Sequence, residues 1–359
     1  MSFELPVPVE TFDLVMGDGA IVRVRRHGRR DGTRMFVSNG NGFAIDGYVP
    51  FWGPLAERFD VIAFDMRNHG ANPLATSGQD GHTYAQMTLD LERIRREVDA
   101  RLGPCPTIGV FHSMSARTAM KHAIEIGFRW EALILFDPPN VPPPGHRVWE
   151  RMDVFERRLA DWAMGRQHHF DDPSELARQY AETRAHSTWV AGAHELMARS
   201  VLRRADSGGG WELSCPRELE ASIYLQAMTL NLWPPNEAYG GPVKLIAADP
   251  NARGAPAPAF ANKALARRWA MPTRRFPRPA TCCRSRSRTS AAERCSRSST
   301  STGSATELIV GQSCSALVSV DNAGGVRGQR SGPNQAPVAT APALISPKAA
   351  SAALSAMKT

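Results

Sequence analysis

The sequence predicts an α/β fold, in which helices cover both faces of a mostly parallel sheet and an all-helical insertion interrupts the order of strands. Short apolar runs alternate with helix-like segments over about the first 140 residues, which is the chain order of parallel strands joined by crossover helices. The runs are continuously apolar rather than alternating, as expected for strands buried on both faces. With 359 residues, the chain is long enough for one large domain with an insertion.

Seven apolar runs predict the strands of the sheet. The first two flank Gly17-Asp18-Gly19, a composition typical of a hairpin turn. The predicted strands cover residues 11–16, 20–27, 34–38, 61–64, 107–111, 132–136 and 243–248. Helical spacing predicts helices over residues 48–59, 83–102 and 114–126. In the longest of these, Leu89, Ile94 and Val98 are expected to share the buried face.

The pattern changes at Asn140, after which residues 148–230 hold several helical stretches and no predicted strand. Five tryptophans concentrate in and just after this region: Trp149, Trp162, Trp189, Trp211 and Trp233. Ligands of open α/β sheets bind at the carboxyl ends of the strands, so the insertion is predicted to be a helical cap over that edge. The predicted division is a core at 1–139 and 239–272, a cap at 140–238 and a tail at 273–359.

The predicted tail accounts for the basic charge of the chain. Residues 273–359 hold twelve Lys and Arg against three Asp and Glu, whereas the first 272 residues hold 31 against 32. Arg, Ser, Gly, Ala and Pro dominate this segment, and such a composition predicts disorder because it buries too little apolar surface to offset the entropy of folding. The run Arg284-Ser285-Arg286-Ser287-Arg288 lacks the aromatic residues of a single-strand binder. We therefore expect no nucleic-acid partner.

Several other classes of protein are disfavoured by simple patterns. No stretch approaches the roughly 18 apolar residues of a membrane helix, and the first residues lack the basic start and apolar run of a secretory signal. The six cysteines show no spacing typical of zinc ligands or of a disulfide framework. The expectation is a cytoplasmic protein that needs no metal or cofactor.

The segment around Ser113 carries the strongest chemical signal. An apolar strand runs into His112-Ser113-Met114-Ser115 and then directly into a helix. A serine on such a turn presents its hydroxyl above the sheet edge, and the first amides of the helix point to the same place. Ser115 is a poorer candidate for a nucleophile because it lies further into the helix.

With the loop at Asn39-Gly40 and the turn after the next strand, the chain resembles the α/β-hydrolase superfamily over roughly residues 10–272. The motifs follow in the family's order: Asn39-Gly40, DMRNHG at 65–70, HSMS at 112–115, LILFDP at 133–138, the cap, and VKLIAAD at 243–249. The resemblance implies that Ser113 is the nucleophile and that the backbone N–H groups of Met114 and of Asn41 or Gly42 form an oxyanion hole. It also implies structural roles for His112 and Asp65.

The resemblance leaves the acid of a Ser-Asp-His triad open between two residues. Asp137 follows the strand after the serine, and Asp249 follows the strand after the cap. The later position usually reads Gly-x-x-Asp, which would place Asn251 rather than an aspartate in that slot. Asp249 has a slight preference over Asp137.

The histidine of the triad has no counterpart in this sequence. A serine hydroxyl needs an adjacent base, and in this superfamily the base follows the last strand, yet no histidine follows His194. His69 precedes the serine on a different loop, which disfavours it as the base. Codons permitted for residues 275–288, read two bases later, can translate as Ile-Pro-Pro-Thr-Gly-His-Leu-Leu-Gln-Ile-Glu-Lys-Pro. This family-like run predicts that the chain leaves its ancestral reading frame between Met271 and Pro277.

Two functional hypotheses follow. The first is a hydrolase of an ester or related small acyl compound that acts through Ser113 and is impaired by the absent histidine. The second is a catalytically inactive binding protein that keeps a pocket under the cap. The sequence specifies neither the substrate nor the oligomeric state.

Overall fold

A computed structural model describes residues 3–206, 208–270 and 308–310. Eight of its strands form one sheet in the order β1-β2-β4-β3-β5-β6-β10-β11. The strands are β1 (Glu10–Val15), β2 (Ile21–Gly28), β3 (Arg34–Ser38), β4 (Asp60–Phe64), β5 (Thr107–His112), β6 (Ala132–Phe136), β7 (His169–Phe170), β8 (Leu202–Arg204), β9 (Trp211–Leu213), β10 (Val243–Ala247) and β11 (Leu308–Val310). The hairpin β1-β2 is antiparallel and β2 pairs antiparallel with β4, whereas all the other pairs in this sheet are parallel. The predicted mostly parallel sheet is therefore confirmed.

Eight helices accompany these strands in the described part of the chain. They are α1 (Val49–Trp52), α2 (Tyr84–Leu102), α3 (Met114–Glu125), α4 (Trp149–Met164), α5 (Pro173–Glu182), α6 (Ala193–Val201), α7 (Arg217–Gln226) and α8 (Ala257–Ala270). The predicted helix over 48–59 is wrong, because only α1 is α-helical and 3₁₀ turns flank it. Gly53 and Pro54 stop it, since proline has no N–H to continue the helical hydrogen bonds.

The sheet separates two hydrophobic clusters. Side chains alternate along β3, so Phe36 packs on one face while Met35 and Val37 pack on the other. The first face is covered by apolar residues of α2, α3 and α8, and the second by residues of α1 and of the insert helices α5 and α6. Helices thus cover both faces, as the continuous apolar strands predict.

The buried face of α2 differs from the prediction at one residue. Ile94 and Val98 are buried as expected, but Leu89 is 57% exposed. Met87 and Leu91 complete the buried face instead, because they lie on the same side of a 3.6-residue helix as Ile94 and Val98.

The insert between β6 and β10 is not entirely helical. In addition to α4–α7 it contains a small antiparallel sheet of order β7-β9-β8. These strands have only two or three residues, which is too short for an alternating apolar pattern to appear in the sequence. The expectation of an all-helical insertion is corrected in this respect.

The segment predicted to be a tail falls largely outside the described residues, as do Cys282, Cys283, Cys295 and Cys314. The exception is β11, whose backbone pairs parallel to β10 with Leu308 opposite Leu245. Among the residues described, no helix combines the length and the apolar character needed to cross a membrane.

Candidate active site

Ser113 lies on the sharp turn between β5 and α3 that the sequence predicts. Its φ of 50° and ψ of −109° place a non-glycine residue in a rarely populated backbone region, at a cost of about 1–3 kcal/mol that the surrounding structure must offset. The turn is tied to the neighbouring strand, because the Ser113 N–H donates to the carbonyl of Phe136 over 3.0 Å. The side chain is half-buried, and its Oγ forms no hydrogen bond within the described residues.

Three buried side chains support this turn from behind. The Tyr48 hydroxyl accepts the Gly40 N–H at 3.2 Å, so its own proton is available for His112 Nδ1 at 2.9 Å. Ser115 Oγ accepts the backbone N–H of His112 at 3.0 Å and lies 3.2 Å from the carbonyl of Ser38, to which it can donate. His112 and Ser115 therefore hold the turn in place, which agrees with the structural role expected for His112.

The loop after β3 passes directly over the serine. A Cβ on Gly40 would lie 2.6 Å from His112 Nδ1 and 3.3 Å from Ser113 Cβ, so only glycine allows this close approach. Asn39, which stands where the family usually has histidine, donates from Nδ2 to the carbonyl of Phe43 at 2.7 Å and accepts the Met66 N–H at 2.8 Å. Its amide fixes the loop against the end of β4.

The three predicted oxyanion-hole donors differ in their availability. The Gly42 N–H donates to His69 Nε2 at 3.2 Å and is therefore occupied. The backbone N–H groups of Asn41 and Met114 have no acceptor among the residues described. Asn41 and Met114 are the pair free to donate to a bound oxyanion.

His69 is held as a neutral imidazole in the loop. Its Nδ1 donates to the carbonyl of Arg67 at 2.9 Å, which leaves Nε2 to accept the Gly42 N–H. Burial lowers the pKa of His69 to about 4, with a smaller contribution from Arg166. Both ring nitrogens are committed to the loop, so the geometry gives His69 a structural role.

The two candidate acids have different surroundings. Asp137 is buried at the end of β6 with a φ of 42°, and its Oδ1 accepts the Ala248 N–H at 2.8 Å. Burial raises its pKa to about 7. Asp249 is half-buried and caps a turn, since its Oδ1 accepts the Asn251 N–H at 2.8 Å. Asp137 directly follows Phe136, which binds the Ser113 N–H, so Asp137 is adjacent in sequence to the residue that anchors the turn.

All ten histidines of the chain lie in the described ranges. None of them forms a hydrogen bond with Ser113 Oγ there. The turn at Ser113 therefore lies beside two backbone amides without an acceptor among the described residues, and no histidine there is hydrogen-bonded to its hydroxyl.

A cleft opens between the loop and the insert. The hollow spans about 340 Å³ only when open solvent is included, and its interior has room for about one water molecule (about 10 Å³). Its walls are Asn41, Gly42 and Phe43 from the loop, and Trp162, Arg166, Tyr180, Ala185, His186, Glu220 and Tyr224 from the insert. A second cleft of about 180 Å³ shares Gly42, Phe43 and Arg166 and is also lined by His69 and Cys215. Ser113 does not line either cleft.

The larger cleft contains a buried ion pair that the sequence analysis missed. Arg166 Nη1 bonds to Glu220 Oε2, and the two side chains are 7% and 1% exposed. Arg166 also lies 5.0 Å from the ring centre of Trp162. The backbone carbonyl of Glu220 accepts the Asn41 Nδ2 at 2.8 Å, which joins the insert to the oxyanion loop. No local pattern marks two charges 54 residues apart as partners.

One buried cluster has the residue types of a metal site. Ligand atoms of His69, His82 and Cys215 lie within 4.8 Å of one another. Asn68 accepts the Ala75 N–H through Oδ1, so its Nδ2 must donate to His82 Nδ1 at 2.9 Å. This fixes the proton of the neutral His82 ring on Nε2, where it blocks the lone pair that a metal would need. The cluster as hydrogen-bonded here does not fit a metal.

Comparison with solved structures identifies the fold. The chain is similar to E-2-(acetamidomethylene)succinate hydrolase, with 21% identity and a TM-score of 0.56 over 72% of this chain and 87% of that one. It is also similar to the thioesterase domain of the curacin biosynthetic pathway (18% identity, TM-score 0.51, 67% and 83% covered). An α/β hydrolase from Novosphingobium aromaticivorans gives 17% identity and a TM-score of 0.52, with 67% and 81% covered. The sequence matches no protein-family model and no curated protein.

These similarities establish the fold of the chain. The chain has the α/β-hydrolase fold, and the resemblance seen in its motifs is confirmed. At identities below 25%, the neighbours establish the fold and leave the chemistry to be argued from the site.

Proposed function

We propose that the chain is built as a hydrolase of a small ester or related acyl compound, with Ser113 as nucleophile, and that it is impaired because it lacks the triad histidine. The strained strand-to-helix turn at Ser113 carries this proposal. A serine is held at such a φ when its hydroxyl must stand clear of the sheet next to free amides.

The chemistry would follow from the groups around this turn. Ser113 Oγ bonds to the acyl carbon while a base takes its proton, and the carbonyl oxygen becomes an oxyanion that accepts the N–H groups of Asn41 and Met114. The oxyanion collapses, the leaving group departs with the proton, and water then hydrolyses the acyl-enzyme. Asp137 or Asp249 would orient the histidine that acts as base. The insert would serve as the cap over this site.

A specific observation favours the second hypothesis, that of a binding protein. His69 and His112 both use a ring nitrogen to support the site, so neither is placed as a spare base. A chain that keeps the cleft while lacking the base would bind an acyl compound without turnover.

A replaced C-terminus tests the proposal. Residues 1–274 are joined to the segment Ile-Pro-Pro-Thr-Gly-His-Leu-Leu-Gln-Ile-Glu-Lys-Pro, and hydrolysis of p-nitrophenyl acetate is compared with that of the natural chain. We expect the natural chain to be barely above background. The chimera should be faster by roughly 10²–10⁴, the range for a general base returned to a preorganised site.

Two matched variants identify the groups responsible. In the chimera, Ser113→Ala and replacement of the new histidine by glutamine should each remove the gain. If the chimera is folded and inert, the binding-protein hypothesis is correct. If the natural chain is already fast and depends on Ser113, the proposed impairment is wrong and one of its ten histidines is the base.

A further inference from the structure

Two histidines and a glutamate form a group of potential metal ligands on the small sheet of the insert. One ligand atom from each of His168, His169 and Glu212 lies within 4.8 Å of the other two. The centres of the two imidazole rings are 4.6 Å apart, and the ring planes meet at 79°. His168 Nδ1 is buried and has no hydrogen-bond partner among the residues described. These are side chains that bind transition metals, and their ligand atoms point to one small region.

Strand pairing brings these side chains to one face of the small sheet. His169 in β7 and Arg203 in β8 each lie opposite Glu212 in the central strand β9, and side chains directly opposite each other share a face. The next residue of β9, Leu213, is buried on the other face. His168 comes just before β7, where its carbonyl accepts the Leu213 N–H at 3.1 Å. The backbone therefore places ligands from two chain segments side by side.

A salt bridge orients the carboxylate of Glu212. Arg203 donates from Nε to Glu212 Oε1 at 2.8 Å, and its Nη2 lies 2.7 Å from the same oxygen. Both contacts use Oε1, which leaves Oε2 to bind a cation. Metal sites commonly hold their ligating carboxylates with a further hydrogen bond of this kind. Arg203 would therefore be a positioning residue that acts through Glu212.

The present spacing is close to that of a zinc site. Ligand atoms 2.0–2.2 Å from a tetrahedral zinc ion are roughly 3.3–3.6 Å apart, so the atoms here would have to approach by at most about 1.5 Å. His169 is exposed, while His168 and Glu212 are half-buried. Side-chain rotation at this surface can supply that movement, and water can reach the fourth position. Three protein ligands and a water form a coordination that zinc adopts.

We propose that His168, His169 and Glu212 bind one divalent transition-metal ion of the zinc type on the outer surface of the insert. The ion would join β7 to β9. Because β7 has only two residues, this crosslink would stabilise a strand that has few hydrogen bonds of its own. None of the three ligands lines either cleft. The site is therefore structural and goes beyond the proposed hydrolase function.

Calorimetric titration with Zn²⁺ tests the site in the full chain, purified without a histidine tag and freed of metal with EDTA. We expect one Zn²⁺ per chain to bind in a manner that depends on the proposed ligands. His169→Gln and Glu212→Gln should each weaken this binding by more than roughly 10–100-fold, since that is the cost of losing only a supporting residue. Zinc held by cysteines would be retained in both variants.

His194→Gln is the matched control. It also removes a histidine of the insert, and the glutamine amide can replace the hydrogen bond from His194 Nε2 to the His186 carbonyl. This variant should bind Zn²⁺ as the natural chain does. Mg²⁺ should bind far more weakly than Zn²⁺ to the natural chain, because imidazole ligands suit zinc and magnesium prefers oxygen.

Hydrogen exchange at the Leu213 amide gives a second measurement, because this amide donates to the His168 carbonyl. At a free Zn²⁺ concentration of 100 Kd, its exchange should slow by up to about 100-fold, since opening the strand pair then requires release of the metal. Zn²⁺ should have no such effect in Glu212→Gln. The exposed position of His169 makes His169→Gln the variant expected to fold even if Glu212→Gln does not.

Three results would overturn the inference: no Zn²⁺ binding by the natural chain, binding that His169→Gln retains, or binding that is indifferent to Glu212→Gln. An unchanged exchange rate at Leu213 on saturation with Zn²⁺ would also overturn it, because the ion would not join β7 to β9. None of these measurements involves turnover. Their outcome is therefore separate from the activity of the chimera.

Discussion

At the scale of single residues, the site depends on a few positions with unusual backbone angles. Ser113 and Asp137 both have positive φ values without being glycine, and they end two neighbouring parallel strands. Their turns bring a half-buried hydroxyl and a buried carboxyl to the same edge of the sheet. Strain of this kind persists where packing over-determines it, and Tyr48, His112 and Ser115 supply that packing around the serine.

Asp137 should make stability depend on pH. Its pKa is raised to about 7 in the folded chain from 3.8 in the unfolded chain. The raised pKa contributes stability that is fully present below pH 4 and is lost as the pH rises to about 7, because the unfolded chain releases this proton first. Asp137→Asn removes the titration, keeps an acceptor for the Ala248 N–H, and suits a positive φ.

We expect Asp137→Asn to raise the free energy of unfolding by roughly 1–3 kcal/mol at pH 8 and to leave it nearly unchanged at pH 3.5. Urea denaturation of the variant and the natural chain at both pH values measures the difference. A difference that does not vary with pH would show that the carboxyl ionises normally in the folded chain.

Residues were predictable from sequence where the signal is local. Ser113 and its turn follow from an apolar strand that runs directly into a helix, and Gly40 follows from its position after a strand. Glu220 and Arg166 were missed because their pairing is set by how α7 packs beside the end of α4. Leu89 was misplaced because five residues separate it from Ile94, which turns it about 140° away from the buried face of a 3.6-residue helix.

At the scale of elements, the insert is joined to the core by buried charges as well as by apolar packing. Arg117 on α3 pairs with Glu156 on α4, and their side chains are 2% and 0% exposed. Arg117 also donates to the Tyr84 hydroxyl at 3.2 Å and to the carbonyl of Pro139. Because α3 begins at Met114, this pair connects the helix of the proposed oxyanion hole to the first helix of the insert.

Replacing only Arg117 or only Glu156 should lower the free energy of unfolding more than replacing both residues together. Arg117→Met leaves the Glu156 charge buried without a partner, at a cost of about 3–5 kcal/mol, and Glu156→Met is expected to cost a similar amount. The double variant should cost less than either single one, because no unpaired charge remains. A double-mutant cycle by urea denaturation measures the coupling.

The surface pair of Arg157, which is exposed, and Asp153, which is half-buried, on α4 is the matched control. Arg157 is 63% exposed, so each substitution there should change the free energy of unfolding by less than about 1 kcal/mol. Additive costs in the Arg117 and Glu156 cycle would show that the pair does not join the two helices energetically.

Elements were predictable where they are long. The bounds of the seven strands predicted from apolar runs agree with the structure to within a residue or two. A continuous apolar run of four to eight residues between turn signals is typical of a buried strand. The strands of the insert were missed because two or three residues carry no period. The helix at 48–59 was overextended because spacing alone does not register the stop at Gly53-Pro54.

At the scale of the whole molecule, the sheet ends differently from what composition predicts. Composition predicts a tail after residue 272, whereas Leu308–Val310 pair with β10. Without that partner, β10 would present an unpaired edge, which proteins usually cover. For Leu308–Val310, composition therefore predicts an unstructured chain, whereas the pairing predicts an ordered strand.

Hydrogen exchange followed by mass spectrometry distinguishes these two expectations. We expect slow exchange at Leu308–Val310, where the ladder protects the amides, and rates near those of an unstructured chain over the remainder of 280–359, where few large apolar residues are available. In a chain truncated after Ala270, the amides of Val243–Ala247 should exchange faster because the neighbouring strand β11 is lost, while the exchange rates in the central strand β3 should be unchanged.

Fast exchange at 308–310 in the full chain would mean that β10 is the true edge of the sheet. Slow exchange that extends to 316–320 would mean that this segment folds as a packed unit, and it would remove the compositional argument for a change of reading frame.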